Sequence, residues 1–292
     1  MRKKISAADV VLTAFCILSA ALCLLPMLNT FAISLSSSVQ AASGRVTFFP
    51  RSFTLSAYEY LLGESQFYTA FLISIERVVL GTTINVLMMI LAAFPLSHSK
   101  KDFRPRNGFM WFLVFTMMFG GGLIPTYMVV SSVGLIDKIW ALVLPGAVPV
   151  WNCILLMNFF RSLPGELEEA SFIDGAMPVQ VLYKVYLPLS LPALSTVTLF
   201  SIVGHWNEFF SGMIYLNSQD KYPLATYINA LVNQAKNIMN ITDPQELQKT
   251  LERSDTTLNS AKIFVSLIPI LIIYPFMQKY FVTGLVMGSV KE

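Results

Sequence analysis

Charge is what this sequence has least of. Only 13% of its 292 residues are Asp, Glu, Lys or Arg, where a soluble domain carries about a quarter. That leaves too little charge to cover a water-facing surface. The net charge of +3 gives no basic face of the kind that nucleic-acid binding needs. Cysteine is scarce too: Cys16, Cys23 and Cys153 lie inside apolar runs. An odd count without metal-type spacing argues against a disulfide framework or a zinc site. Histidine is limited to His98 and His205. Neither a cluster of metal ligands nor a nucleophile with its base is visible, so no catalytic and no metal site is expected. The phosphate-binding pattern Gly-x-x-x-x-Gly-Lys-[Ser/Thr] is missing, and the chain is not expected to hydrolyse ATP by itself. No internal repeat stands out, whereas transporters that work alone usually carry inverted repeats with broken helices.

What is present is apolar: 55% of residues are hydrophobic, with a mean hydropathy of +0.62. A run of roughly 20 such residues suffices to cross a bilayer as a helix. Six spans follow, at about 10–35, 68–97, 107–133, 139–160, 188–216 and 261–284, and the fold class is an all-α integral membrane protein. Pro125, Pro145 and Pro269 fall inside spans, which neighbouring helices can tolerate. Arg2, Lys3 and Lys4 precede the first run as in a signal peptide. The run exceeds the 7–15 residues of a signal core and reads as an uncleaved first helix.

Positive charge in short loops sets orientation. Arg2, Lys3 and Lys4 flank the first span, and Lys100, Lys101, Arg104 and Arg106 separate the second from the third. Both termini and 161–187 are therefore expected in the cytoplasm, with 36–67 and 217–260 outside. The segment 217–260 is polar and rich in Asn (217, 229, 233, 237, 240 and 259). Leu224–Met239 has helical spacing, and Asp243-Pro244 marks a turn. A loop this long is either disordered or functional, here as a docking element for an external partner.

The segment Arg161–Pro188 holds most of the functional information. Ser162 and Pro164 are helix-start residues, and Glu166, Glu168 and Glu169 suit the positive end of a helix dipole. Asp174-Gly175 signals a turn. Pro178 can open a second helix with Val181, Leu182, Val185 and Tyr186 on one face. A short helix, a glycine turn and a second short helix, apolar on one face and acidic at the tip, make a shape for a groove on another protein. The other reading is a hairpin lying on lipid, but such helices usually carry many Lys or Arg, and anionic lipid would repel this tip.

The same segment resembles the signature loop of binding-protein-dependent ABC importer permeases: Glu-Ala-Ala, three residues, Gly, nine residues, Ile, one residue, Leu-Pro. Here stand Glu169-Ala170-Ser171, Gly175, Val185 and Leu187-Pro188, with the spacing kept and two small departures at Ser171 and Val185. Gly121-Gly122-Leu123-Ile124-Pro125-Thr126-Tyr127, Gly134-Leu135 and Asp174-Gly175-Ala176 look like the carbohydrate, maltose-type group. Tyr274-Pro275-Phe276, Gln278-Lys279-Tyr280-Phe281 and Gly288-Ser289-Val290-Lys291 look like its oligosaccharide branch, which includes aldouronate-type permeases. The resemblance implies a type I ABC importer permease fold, one permease domain over 1–292, in a bacterial cytoplasmic membrane. It implies a second, homologous permease, two ATPase subunits that hold ATP and Mg, and an extracytoplasmic solute-binding protein. It also implies that Glu168, Glu169, Ala170, Ser171, Asp174, Gly175, Leu187 and Pro188 couple the chain to the ATPase.

Ionisable groups inside a membrane are rare and point to function. The fifth span carries His205-Trp206-Asn207-Glu208. A sugar path needs hydrogen-bonding groups and an aromatic face, and this run offers both. His205 and Glu208 are three apart and share a helix face. They either contact sugar or form a structural pair between helices. Glu76 and Arg77 are adjacent and point apart, and Arg77 is expected to pair with another helix or reach water. Asn85 lines the path or satisfies a helix contact.

Overall fold

The computed structural model describes residues 7–237 and 256–289, and the chain resolves into two compact units. Arg2, Lys3, Lys4, Asn240 and Asp243-Pro244 lie outside the described residues. Among the described residues the regular structure is helical throughout.

One unit comprises 1–68 and 227–268. Its longest helix, α1, is Ala7–Ser34. Val10, Val11, Phe15 and Ile17 stand exposed along it, as lipid-facing side chains must. Cys16 and Cys23 are on its exposed surface. Two short helices follow, α2 at Ser38–Ala42 and α3 at Ser56–Gly63. The chain between them is tied back by hydrogen bonds from Thr54 N to Leu35 O (3.0 Å) and from Arg51 N to Ser36 Oγ (3.0 Å). Phe31 packs on Phe264 with ring centroids 4.4 Å apart.

The polar centre of this unit is Lys262, only 2% exposed. Its ammonium group lies 2.7 Å from Glu64 Oε2 and 2.9 Å from both Glu64 Oε1 and the Tyr227 hydroxyl. The Tyr227 hydroxyl in turn donates to Glu64 Oε1 at 2.6 Å. Burial, reinforced by Glu64, pushes the Tyr227 phenol well above its ordinary pKa, so it stays a donor. A buried charge is tolerable only when paired and hydrogen-bonded, and here one carboxylate meets both demands.

The other unit comprises 69–226 and 269–292. Helix α4, Ser65–Ser97, enters it at Thr69. Arg106–Met118 (α5) and Leu123–Ser132 (α6) follow, then Trp140–Val143 (α7), which runs into a 3-10 turn at Leu144–Gly146. Next come α8, Val150–Ser162, and α9, Gly165–Ile173. Pro178–Val181 (α10), a π-helical turn at Leu182–Tyr186 and Leu187–Leu189 (α11) form one run. Leu191–Asn207 (α12) and Phe210–Tyr215 (α13) lead to α14, Leu224–Asn237. The last helix, α15, is Thr256–Ser289; its residues up to Ile268, like those of α14 from Tyr227, belong to the first unit. The core joins α4 (Met89, Ala93, Leu96), α8 (Cys153, Leu156, Met157, Phe160), Val181, Tyr186 and Val197.

Among the described residues, three helices are long and apolar enough to cross a membrane: Asp9–Ser34, Ser65–Ser97 and Thr256–Pro275. Counting each of three bent pairs as one span brings the number there to six. The expected third and fourth spans are therefore broken rather than continuous, and the fifth is entered through a sharp corner. Arg106–Met118 and Leu123–Ser132 meet at 115° across a stretch that holds Gly120, Gly121 and Gly122, the last with a φ of +84°. Pro145, Gly146 and Pro149 divide the fourth, with a bend of 48°. Pro178–Leu189 and Leu191–Asn207 meet at 83°, with Pro188 and Pro192 on either side of the corner. Glycine frees the backbone and proline removes a helical donor. The helical spacing at Leu224–Met239 appears as α14, whose described end is Asn237.

Between α6 and α7, Asp137 adopts a φ of +62° and receives Asn217 N at 3.0 Å and Ser218 N at 3.3 Å. Lys221 pairs with the same carboxylate and holds it below its ordinary pKa.

The Lys262 cluster yields a direct test. Lys262→Met leaves Glu64 without its cation and should lower stability by roughly 3 kcal/mol. Adding Glu64→Leu should restore most of the loss, read as thermal unfolding of the purified chain in detergent. Equal loss in the single and double variants would refute the pairing.

Candidate functional site

Two places gather the residues singled out by sequence. The first is the segment after α8. Leu163 and Pro164 are extended, and α9 begins at Gly165 with Glu166 and Glu168 in its first turn. Asp174 ends the helix, and Gly175 turns the chain with a φ of +80°. Gly175 N donates to Phe172 O and Ala176 N to Ser171 O, both at 3.0 Å. Only glycine takes this conformation without strain. Pro178 then opens α10, where Gln180 Oε1 accepts from Met177 N at 2.8 Å. The following turn widens to π geometry just before Pro188, where the pyrrolidine ring would otherwise press on the carbonyl four residues earlier.

The two halves of this hairpin differ. Val181 and Tyr186 are buried, with Leu182 and Val185 packed beside them. Ile173, Met177 and Val179 are 86%, 69% and 68% exposed. Glu169, Ala170, Asp174 and Gly175 are exposed, and Ser171 is half-buried with its hydroxyl on Leu167 O at 2.7 Å. Glu168, next to the exposed Glu169, is half-buried and partnered. Its Oε1 lies 2.8 Å from His98 Nε2, and its Oε2 accepts from the Tyr186 hydroxyl at 2.6 Å. A cavity of about 610 Å³ borders these groups.

The end of α4 lies beside them. Leu96 O accepts from Arg106 Nε (3.0 Å) and from Arg161 Nη2 (2.9 Å), and Phe94 O accepts from the Ser97 hydroxyl at 2.7 Å. Cations there suit the negative end of the helix dipole. Below them, Ser99 Oγ donates to Asp102 at 2.6 Å and draws the Asp102 carboxyl below its ordinary pKa.

The second place is a cavity of about 470 Å³ walled by α4, α7, α8, α12 and α13. Arg77, 2% exposed, forms an ion pair with Glu208. It also donates to Glu208 O (2.7 Å), Ser211 Oγ (3.0 Å) and Leu142 O (3.5 Å). Glu208 ends α12, and its Oε1 receives Ser211 N at 2.8 Å in the first turn of α13. The expected partner of Arg77 on another helix is thus Glu208. Asn85, 4% exposed, has its amide 3.2 Å from His205 Nε2.

Asn85, His205 and Glu208 share this wall, while Trp206 and Asn207 are not on it. Trp206 is 8% exposed and meets Phe71 edge-on at 5.7 Å; Asn207 is exposed. Consecutive helical positions point about 100° apart, which separates the four. Asn152, Ser201, Ser211 and Tyr215 also line the cavity and were not picked out from sequence. Asn152, a polar residue within an apolar run, carried a usable signal.

The bent spans, the exposed apolar flanks and the hairpin with its glycine turn are those of a membrane-embedded helical protein with an exposed loop between spans. The family model for the binding-protein-dependent transport system inner membrane component matches residues 77–286, and the chain belongs to that family as a multi-pass membrane protein. It is similar to a polygalacturonan/rhamnogalacturonan transport system permease protein, YtcP, of Bacillus subtilis (strain 168), 36% identical over 97% of this chain and 98% of that one. It is 37% identical to protein LplC of the same organism, over 93% of this chain and 90% of the other. Among solved structures it matches a bacterial ABC transporter involved in the import of the acidic polysaccharide alginate, with a TM-score of 0.81, 31% identity and coverage of 95% and 99%.

The cavity wall is packed to its limit at one point. A Cβ at Gly81 would sit 2.4 Å from His205 Nε2. Gly81→Ala should therefore cost about 1–3 kcal/mol, and Gly81→Ala with His205→Ala should recover most of it. A thermal shift assay on the four members of that cycle checks the expectation, and a strictly additive cycle would contradict it.

Proposed function

We propose that this chain is one permease subunit of an ATP-driven importer that carries an oligosaccharide delivered by an extracytoplasmic binding protein. The observation that carries this reading is the exposed hairpin between two spans, with Glu169 and the Gly175 turn at its tip. Its glycine turn fixes the tip, its buried half anchors it to the core, and its exposed half offers Ile173, Met177 and Val179 to a partner. The names of YtcP and of the alginate importer support a polysaccharide-derived cargo.

In this reading, ATP and Mg are held by two ATPase subunits, and a second homologous permease completes the path. Glu169, Ala170, Ser171, Asp174 and Gly175 form the docking tip. Leu187 and Pro188 turn the chain back into the membrane. Asn85, His205 and Glu208 supply hydrogen-bonding groups to the path, and Trp206 acts through packing behind them. The termini and 161–187 are cytoplasmic, and 217–260 lies outside, where α14 and its amides meet the binding protein. A transporter working without an ATPase would have no use for an exposed tip of this kind.

Gly175→Pro cannot adopt the positive φ, and Glu169→Lys reverses the charge at the tip. Both should leave the subunit in the membrane and remove most of the ATP hydrolysis stimulated by the loaded binding protein. Normal stimulation in both would reject the docking role. In a chain freed of Cys16 and Cys23, cysteine at Ser99 or Asp174 should react with an impermeant thiol reagent only in opened cells. Cysteine at Asn233 should react in intact ones. The reverse pattern would overturn the orientation.

A further inference from the structure

His98, which no motif of the sequence singles out, stands between two acceptors. Its Nδ1 lies 2.7 Å from Phe94 O, one of the last carbonyls of α4. A carbonyl only accepts, so Nδ1 carries a hydrogen. Its Nε2 lies 2.8 Å from Glu168 Oε1. A neutral imidazole with hydrogen on Nδ1 would aim a lone pair at a carboxylate oxygen. Glu168 Oε2 is already occupied by the Tyr186 hydroxyl. The geometry therefore needs one more proton between Nε2 and Oε1, on either atom.

The surroundings make that proton matter. The two side chains are only 15% and 18% exposed. Phe94 and Tyr186 line the imidazole at centroid distances of 4.7 and 6.2 Å, and Phe160 backs Tyr186 at 5.4 Å. Low local polarity strengthens the bond when it is made and the repulsion when it is not. The other charged groups are largely engaged. Arg106 of α5 and Arg161 of α8 donate to Leu96 O, and Asp102 of the following loop is held by Ser99. Glu169 of α9 borders the same cavity from its exposed side.

We propose that His98 and Glu168 share one proton in a latch that positions α9 against the end of α4, so that the docking tip is held in place only while that proton is present. The consequence for coupling rests on the docking reading given above. Without the shared proton the two acceptors face each other. Either Nε2 then repels Glu168, or the imidazole gives up Phe94 O to keep it. His98 is a positioning residue here, acting on the tip through Glu168. The proton also separates this role from simple packing. Gln at position 168 would donate its amide to a neutral Nε2 and accept from Tyr186, closing the latch with no shared proton.

The test uses the assembled transporter in lipid nanodiscs. Hydrogen exchange is followed in the peptide 165–176, corrected for intrinsic rates and compared with 150–162, at about pH 6 and about pH 8.5, the range over which histidine changes charge. The parent should lose protection in 165–176 severalfold at the higher pH, with 150–162 unchanged. Glu168→Gln should stay protected at both pH values, and His98→Phe at neither. Retention of the ATPase through purification should follow the same pattern. A pH-independent parent, or a Glu168→Gln variant that tracks the parent, overturns the latch. Exchange that shifts as expected while ATPase retention does not follow leaves the latch standing and rejects the docking reading.

Discussion

A helix that leaves a bilayer exposes its last carbonyls, and each needs a donor. At the end of α4 the donors come from Ser97, His98, Arg106 and Arg161, which belong to α4, its following turn, α5 and α8. Much of the lower half of this unit is arranged around that requirement. Because Arg161 reaches back to Leu96 O, the end of α8 is fixed, and the hairpin that starts three residues later begins from a fixed point. Because His98 occupies Phe94 O, its other nitrogen faces Glu168. A backbone constraint at one helix end thus determines which of two neighbouring glutamates turns inward.

The same economy governs Arg77. A charge buried to this depth is expensive unless several acceptors share it. Glu208 offers both its carboxylate and its carbonyl, and Ser211 and Leu142 complete the set. The pair is structural in that it ties α4 to the corner between α12 and α13. It also lines the polar cavity, so the structural and functional readings of Glu208 describe two aspects of one arrangement.

Much of this was legible in the sequence because it depends on local chemistry. Six apolar runs, the helix–glycine–helix pattern around Gly175 and the helical spacing from Leu224 all follow from composition and periodicity. The breaks were less legible. Gly120–Gly122 and Pro145 were visible as residues, but a 115° bend depends on what the chain packs against. The direction of a side chain around its helix was least legible. Trp206 offers an aromatic face on paper, yet it is buried beside Phe71 and off the cavity wall, and Glu168 and Glu169 look alike until His98 is placed between α4 and α9. Periodicity gives angles within a helix and says nothing of which neighbour occupies each angle.

The close approach at Gly81 has a mechanical consequence. The imidazole of His205 occupies the space a side chain on α4 would need, much as a key sits in a slot. Thr226 fills the equivalent space at Gly212, where an added Cβ would lie 2.1 Å from its hydroxyl oxygen. Sliding α12 along α4 would drive the key toward Arg77 or Asn85, the neighbours of Gly81 on the same buried face. Packed interfaces of this kind change by jumps or move as one piece rather than shear gradually. At this point α4 and α12 are thus keyed together, and a sliding movement of one past the other meets a steric stop there.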